Sequence, residues 1–298
     1  SPWPVAMRAQ AKGGAGPCQG GTTPVAMLVA TLLKNMIGSG IFSLPLGLLH
    51  ATRVPGLLVL FIMGTLSASS FWMIGYCCIT WGVTSFRDLW YRVFGLRTAW
   101  IIDVTMFFNG WFTLVAYVVL IGDFTTKSFE GLLGEDSILA TGRKMNQWTI
   151  TVLLLLPLSL AKDLSKLAFT SMLGLVILAY VYVLVMHDSA TKSPAEWGPD
   201  MVASHWNLGI FEAIALYTHA FVAHYNAPKL LSELYRPTYL RWLVVVGIAY
   251  AVALVTYCSF AWAGLRRFEG ELLGNILRNY ESNYSVLLAW LGMGFCIV

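Results

Sequence analysis

Eight stretches of this chain run nearly free of charge, most of them over roughly the 20 residues that cross the hydrocarbon core of a bilayer, and that recurrence restricts the fold more than any other feature. They cover residues 25–50, 55–80, 98–122, 148–161, 167–186, 207–234, 242–265 and 285–298. A backbone amide or carbonyl left unpaired in hydrocarbon costs several kcal/mol, so segments of this kind satisfy themselves as helices. Composition agrees. Charged residues make up 11% of the chain and aromatics 14%, the balance of a protein surrounded by lipid. The sequence therefore predicts an all-α integral membrane protein.

The fourth stretch is short and carries Pro157, and starting it at Met145 restores a usable length. The eighth stops with the chain before it can cross, so the bundle is expected to be C-terminally truncated. Residues 1–24 are rich in Gly, Pro and Ala, lack a continuous apolar core and read as a disordered tail rather than a signal peptide. The organisation expected is this tail followed by one transmembrane domain over residues 25–298. Five cysteines show neither a disulfide framework nor metal-ligand spacing and read as packing residues.

Lys plus Arg in alternating loops give 10 on the side of the tail and 8 on the other, with Lys34 left inside a span. That balance places the N-terminus in the cytoplasm. The net charge of +4 reflects loop asymmetry and gives no reason to propose nucleic acid as a partner. Asn283-Tyr284-Ser285 has the form of a glycosylation acceptor, but it lies at the start of the eighth stretch, too close to the bilayer for modification.

Two of the stretches are broken in the middle. The first is interrupted over residues 34–40, Lys-Asn-Met-Ile-Gly-Ser-Gly, and the second over residues 220–228, Ala-Phe-Val-Ala-His-Tyr-Asn-Ala-Pro. Unwound backbone at membrane depth persists where it lines a cavity or holds a solute, and paired interruptions point to a transport site. Gly38 and Gly40 permit the opening, and with Ser39 they direct amide N–H groups at the half-helix that follows, an arrangement that attracts a carboxylate. The plainer account of those glycines is a small-residue packing face. Carbonyls of Phe221, Val222 and Ala223 would accept from an ammonium group, and Pro228 removes a donor and bends the chain before it. Amides on one side and carbonyls on the other suit a zwitterion such as an amino acid.

These residues resemble the amino acid/auxin permease family, which includes sodium-coupled neutral, proton-coupled and vacuolar amino acid transporters. The run from Leu33 to Pro45 is similar to the first-span signature of the proton-coupled branch. The run from Ala220 to Leu234 is similar to the sixth-span signature of the sodium-coupled and vacuolar branches, with Phe221, His224, Glu233 and Leu234 at the matching places. Ile121-Gly122-Asp123, Pro157-Leu158-Ser159-Leu160 and Thr170-Ser171 match further motifs in order. The resemblance implies a LeuT-type inverted-repeat bundle of eleven spans with discontinuous first and sixth helices, of which this chain holds about eight.

Alignment on Gly-Ser-Gly puts Lys34 where sodium-coupled members carry an ion-binding Asn, with Asn35 displaced by one place. A fixed ammonium could replace the sodium charge or carry the coupling proton, against the plainer reading of a lysine snorkelling to the cytoplasmic face. His224 is a second candidate for the proton, against the plainer role of satisfying freed backbone. Asn226 would bond the substrate or close the bend.

The expectation is a secondary active transporter of neutral amino acids, driven by H⁺ or Na⁺ with the proton favoured, needing no other cofactor and seated in a plasma or vacuolar membrane. Substrate would be held by Gly38, Ser39, Gly40, Phe221, Val222, Ala223 and Asn226, and coupling would involve Lys34, Asn35 and His224. An amino acid sensor on the same fold is the alternative. No base and nucleophile stand grouped as an enzyme would need, and two broken helices imply an occluding site rather than an open pore.

Overall fold

The computed structural model describes residues 21–134, 136–159, 168–196, 198–199, 201 and 204–297. The expected tail up to residue 20 and the loop between the fourth and fifth stretches lie outside them. The longest helices are α3 (Arg53–Trp81), α5 (Ala99–Leu133), α7 (Ala168–Thr191) and α10 (Tyr239–Phe268). Each contains a window apolar enough to cross a membrane. Before and between them lie α1 (Val25–Met36), α2 (Leu44–Ala51), α4 (Phe86–Phe94), α6 (Arg143–Ile150), α8 (Ile210–Ala220), α9 (Ala227–Glu233) and the closing α11 (Tyr284–Ile297). Four unbroken spans, and a fifth when α1 and α2 count as one, stand where eight stretches were expected. The difference lies in helices broken or shortened at the remaining stretches.

Two stretches depart from their expected bounds for visible reasons. Helix α5 does not stop at Gly122 but runs on to Leu133, so its 35 residues extend about 52 Å. The extension carries Asp123, Lys127 and Glu130 on one face, and that face is occupied: Arg143 meets Asp123 at 2.8 Å, and Lys127 meets Glu130 at 2.8 Å. The fourth stretch begins at Arg143, and a π-helical turn over Thr151–Leu155 precedes Pro157. Proline lacks an N–H and crowds the carbonyl four residues back, and the wider turn accommodates both faults.

The chain forms two compact units. One comprises Ser1–Ile37, Phe61–Asn109 and Phe221–Val255; the other comprises Gly38–Leu60, Gly110–Ala220 and Thr256–Val298. The division passes through both breaks anticipated from the sequence.

In the first unit α1 buries Leu28, Leu32 and Met36. Its entry is tied to the exit of α9: the Thr23 amide donates to the Glu233 carbonyl at 3.0 Å, and the Tyr235 amide donates to the Thr23 carbonyl at 2.9 Å. The residues on either side of this contact pair as a single parallel bridge, Thr23 with Leu234. Phe71 of α3 stacks on Trp242 of α10, with ring centres 5.4 Å apart. Gly75 permits this, because a Cβ there would lie 2.0 Å from the Trp242 indole nitrogen.

In the second unit α8 lies antiparallel along α2. A Cβ on Gly40 would stand 2.8 Å from Cα of Ala220, and one on Gly47 would stand 2.7 Å from the Tyr217 ring. At the far end the His50 imidazole reaches the Glu212 carboxylate. Phe42 packs edge-on against Phe124 and Phe260 at 5.7 and 6.5 Å, which roots the start of this pair in the core.

Candidate functional site

The first break is shorter than the sequence led us to expect. Helix α1 continues through Met36, so Lys34 and Asn35 lie in its last turn and not in unwound backbone, a correction to the anticipated interruption over residues 34–40. The Ile37 amide still closes onto the Leu33 carbonyl at 2.7 Å. The backbone leaves the helix at Gly38, passes through a 3₁₀ turn over Ser39–Ser43 and becomes α-helical again at Leu44, with Pro45 in the first turn.

The amides of Gly38 and Gly40 have no hydrogen-bond partner among the described residues, as expected of donors ahead of a helical turn. The two glycines do different things. Gly40 is buried and admits the backbone of Ala220, whereas a Cβ on Gly38 would meet nothing within 4 Å. The packing-face reading thus holds for Gly40, and Gly38 opens onto free space. Beside Gly40 the C-terminal end of α8 presents its negative dipole end, where the Tyr257 hydroxyl donates to the Ala220 carbonyl at 2.8 Å. Within this unit, free amides and a helix C-terminus stand side by side.

The second break runs over residues 221–226, and α9 resumes at Ala227 with Pro228 in its first turn. Its carbonyls are not equally free. Phe221 accepts from the Ser67 hydroxyl at 3.2 Å and Ala223 from the Asn226 amide at 3.0 Å, whereas the Val222 carbonyl accepts no hydrogen bond among the described residues. The Phe221 ring is fully buried; it stacks on Tyr250 with centres 6.1 Å apart, over Gly64, whose Cβ would lie 2.9 Å from it. Asn226 shapes the bend through its backbone.

His224 is held by α3. Its Nε2 lies 2.8 Å from the Ser70 hydroxyl and 3.2 Å from the Ser67 carbonyl, with Phe71 edge-on at 5.7 Å. Ser70 itself donates to the Ser67 carbonyl at 3.0 Å, which leaves its hydroxyl oxygen to accept from Nε2–H. These partners belong to the unbroken α3 and not to the backbone freed at the break. Lys34 is half-buried at the negative end of α1, and no carboxylate pairs with it among the described residues.

Sequence reading missed Ser67, Ser70, Tyr250 and Tyr257, which hold the two breaks open. A signal existed for the serines: Ser67-Ala68-Ser69-Ser70 is a polar run within an apolar span, with its first and last members one turn apart. Tyr217 and Tyr117 stand in different settings. The Tyr217 hydroxyl is buried without a partner against Gly47, whereas Tyr117 is 37% exposed on the outer face of α5.

A family model described as transmembrane amino acid transporter protein matches residues 21–297. Over 266 residues the chain is 29% identical to a Danio rerio protein provisionally named sodium-coupled neutral amino acid transporter 11, covering 88% of this chain and 59% of that protein. It is 24% identical over 269 residues to amino acid transporter AVT6E of Arabidopsis thaliana, covering 87% and 55%. With vacuolar amino acid transporter 7 of Saccharomyces cerevisiae it shares 23% over 281 residues, covering 90% and 54%. The chain thus spans somewhat over half the length of these relatives.

Proposed function

The chain belongs to the transmembrane amino acid transporter protein family, and on that premise we propose that it forms the substrate-binding part of a secondary active transporter for neutral amino acids. The observation that carries this reading is the pair of unpartnered amides at Gly38 and Gly40 beside the C-terminal end of α8. Donors without acceptors and a positive helix start would take a carboxylate. In the other unit the free carbonyl of Val222 would accept from an ammonium group, with Phe221, Ala223 and Asn226 in the same break.

A LeuT-type inverted repeat accounts for the half-helices. In each unit two of them meet, α1 at the exit of α9 and α2 along the length of α8, and both broken helices resume with a proline in the first turn. Alternating access would then work around the breaks. Coupling is assigned to a proton, with Lys34, beside Asn35 in the last turn of α1, and His224 at the second break as the ionisable side chains placed at the two breaks. The resident membrane is plasma or vacuolar, with the N-terminus cytoplasmic.

The test is uptake of labelled neutral amino acids into vesicles carrying the full-length protein, first under a pH gradient and then under a sodium gradient, with Lys34→Asn alongside. Accumulation driven by the pH gradient and lost in the variant is expected. Binding without accumulation under either gradient sinks the transporter reading and leaves a sensor.

A further inference from the structure

Helix α4 has the pattern of a helix with a buried face, yet it buries none of its residues. Phe86, Leu89, Trp90, Val93 and Phe94 recur at the i, i+3, i+4, i+7, i+8 spacing, within an arc of about 140° at the helical repeat. Arg87, Asp88, Tyr91 and Arg92 fill the opposite side. The stripe is ordered within itself, with the Trp90 and Phe94 rings 4.5 Å apart and the Trp90 indole donating to Thr98 at 3.1 Å. Nevertheless Phe94 is 62% exposed and Leu96, just beyond the helix, 69%. An apolar stripe of this form left uncovered needs a partner beyond the described residues.

Two observations say what covers it. Further exposed apolar side chains, Trp100, Ile101, Val104 and Phe107, follow within a few residues on the first turns of α5, a helix long and apolar enough to cross a membrane. A helix joined to the start of such a span lies where chain meets headgroups. Its charge is also one-sided: Arg87, Arg92 and Arg97 against Asp88. Asp88 is occupied locally, because Ser85 caps the helix by accepting from its amide at 3.0 Å and donating to its carboxylate at 2.7 Å. Arg87 faces Asp103 at 3.6 Å, which leaves Arg92 and Arg97 without a carboxylate partner among the described residues. Gly95, at φ 84°, ends the helix and sets Arg97 after a sharp turn.

We propose that α4 is an interfacial anchor whose apolar stripe enters the headgroup region and whose Arg92 and Arg97 bind anionic phospholipids. A short amphipathic helix with arginines on its polar side binds such a surface through buried apolar area together with headgroup charge. This does not depend on what the protein transports.

The experiment places the full-length protein in nanodiscs of phosphatidylcholine alone, or with a third of it replaced by phosphatidylserine, and follows hydrogen exchange of the amides of Phe86–Phe94. Exchange slower by on the order of tenfold in the anionic discs is expected. That difference should vanish in the Arg92→Gln/Arg97→Gln variant while exchange in α1 stays as it was. Phe94→Ser should speed exchange of α4 in both lipids. Equal exchange of the parent in the two lipids overturns the proposal, as does protection that appears only when cytosolic protein is added to the discs.

Discussion

Gly38 and Gly40 are separated by one residue and differ in kind, which no composition rule could reveal. Gly40→Ala would place a methyl 2.8 Å from the Ala220 backbone, and overpacking of this sort costs about 1–3 kcal/mol, so a lower yield of folded protein and a lower melting temperature are expected. Gly38→Ala has room, so it should fold as the parent does and instead weaken uptake. If both variants melt alike, the division of labour between the two glycines is wrong. Outside the spans, Tyr280 invites a pH experiment. Burial, then the Asp188 carboxylate, raise its pKa well above the usual tyrosine value, with Arg267 partly offsetting, and its hydroxyl has no hydrogen-bond partner. Above about pH 10 the unfolded chain sheds a proton that the folded chain keeps, so stability falls as pH rises. Tyr280→Phe should leave melting near neutral pH almost unchanged and flatten the loss at about pH 11, read by thermal unfolding in detergent.

At the level of elements, sequence periodicity and length located the helices, and side-chain partners decided where they stop. Gly122 read as an end because Asp123 follows it, yet α5 continues since Asp123 has Arg143 at 2.8 Å and Arg278 at 3.8 Å. A carboxylate with two guanidiniums is tolerable where a lone one is not. Arg143→Met leaves the buried Asp123 to the more distant Arg278 and should cost about 1–3 kcal/mol, less than for a fully buried pair because Arg143 is 43% exposed. Arg143→Lys should recover part of it in the same melting assay. The breaks themselves were legible: Gly-Ser-Gly admits backbone angles that leave a helix, and Pro228 disfavours helix in the residue before it. The positions of Lys34 and Asn35 were not, because residues up to Met36 keep their helical hydrogen bonds even though the polar run begins at Lys34.

For the whole molecule the arginine and lysine balance gives a topology that labelling can check. With Thr84→Cys and Glu281→Cys, both at exposed positions, an impermeant thiol reagent should reach residue 84 from the side of the N-terminus and residue 281 from the other, above the background of the five native cysteines. Reaction of both from one side would invert or break the assigned order of spans. The sequence by itself determined that the chain is helical and membrane-bound, where its two helices break, and which family signature it carries, because hydrocarbon length and the backbone limits of Gly and Pro are properties of local sequence. Only the tertiary structure decided which freed backbone groups remain free. Ser67 and Tyr257 lie far along the chain from the carbonyls they satisfy, and a close approach such as that of Gly40 to Ala220 exists only once distant segments have packed.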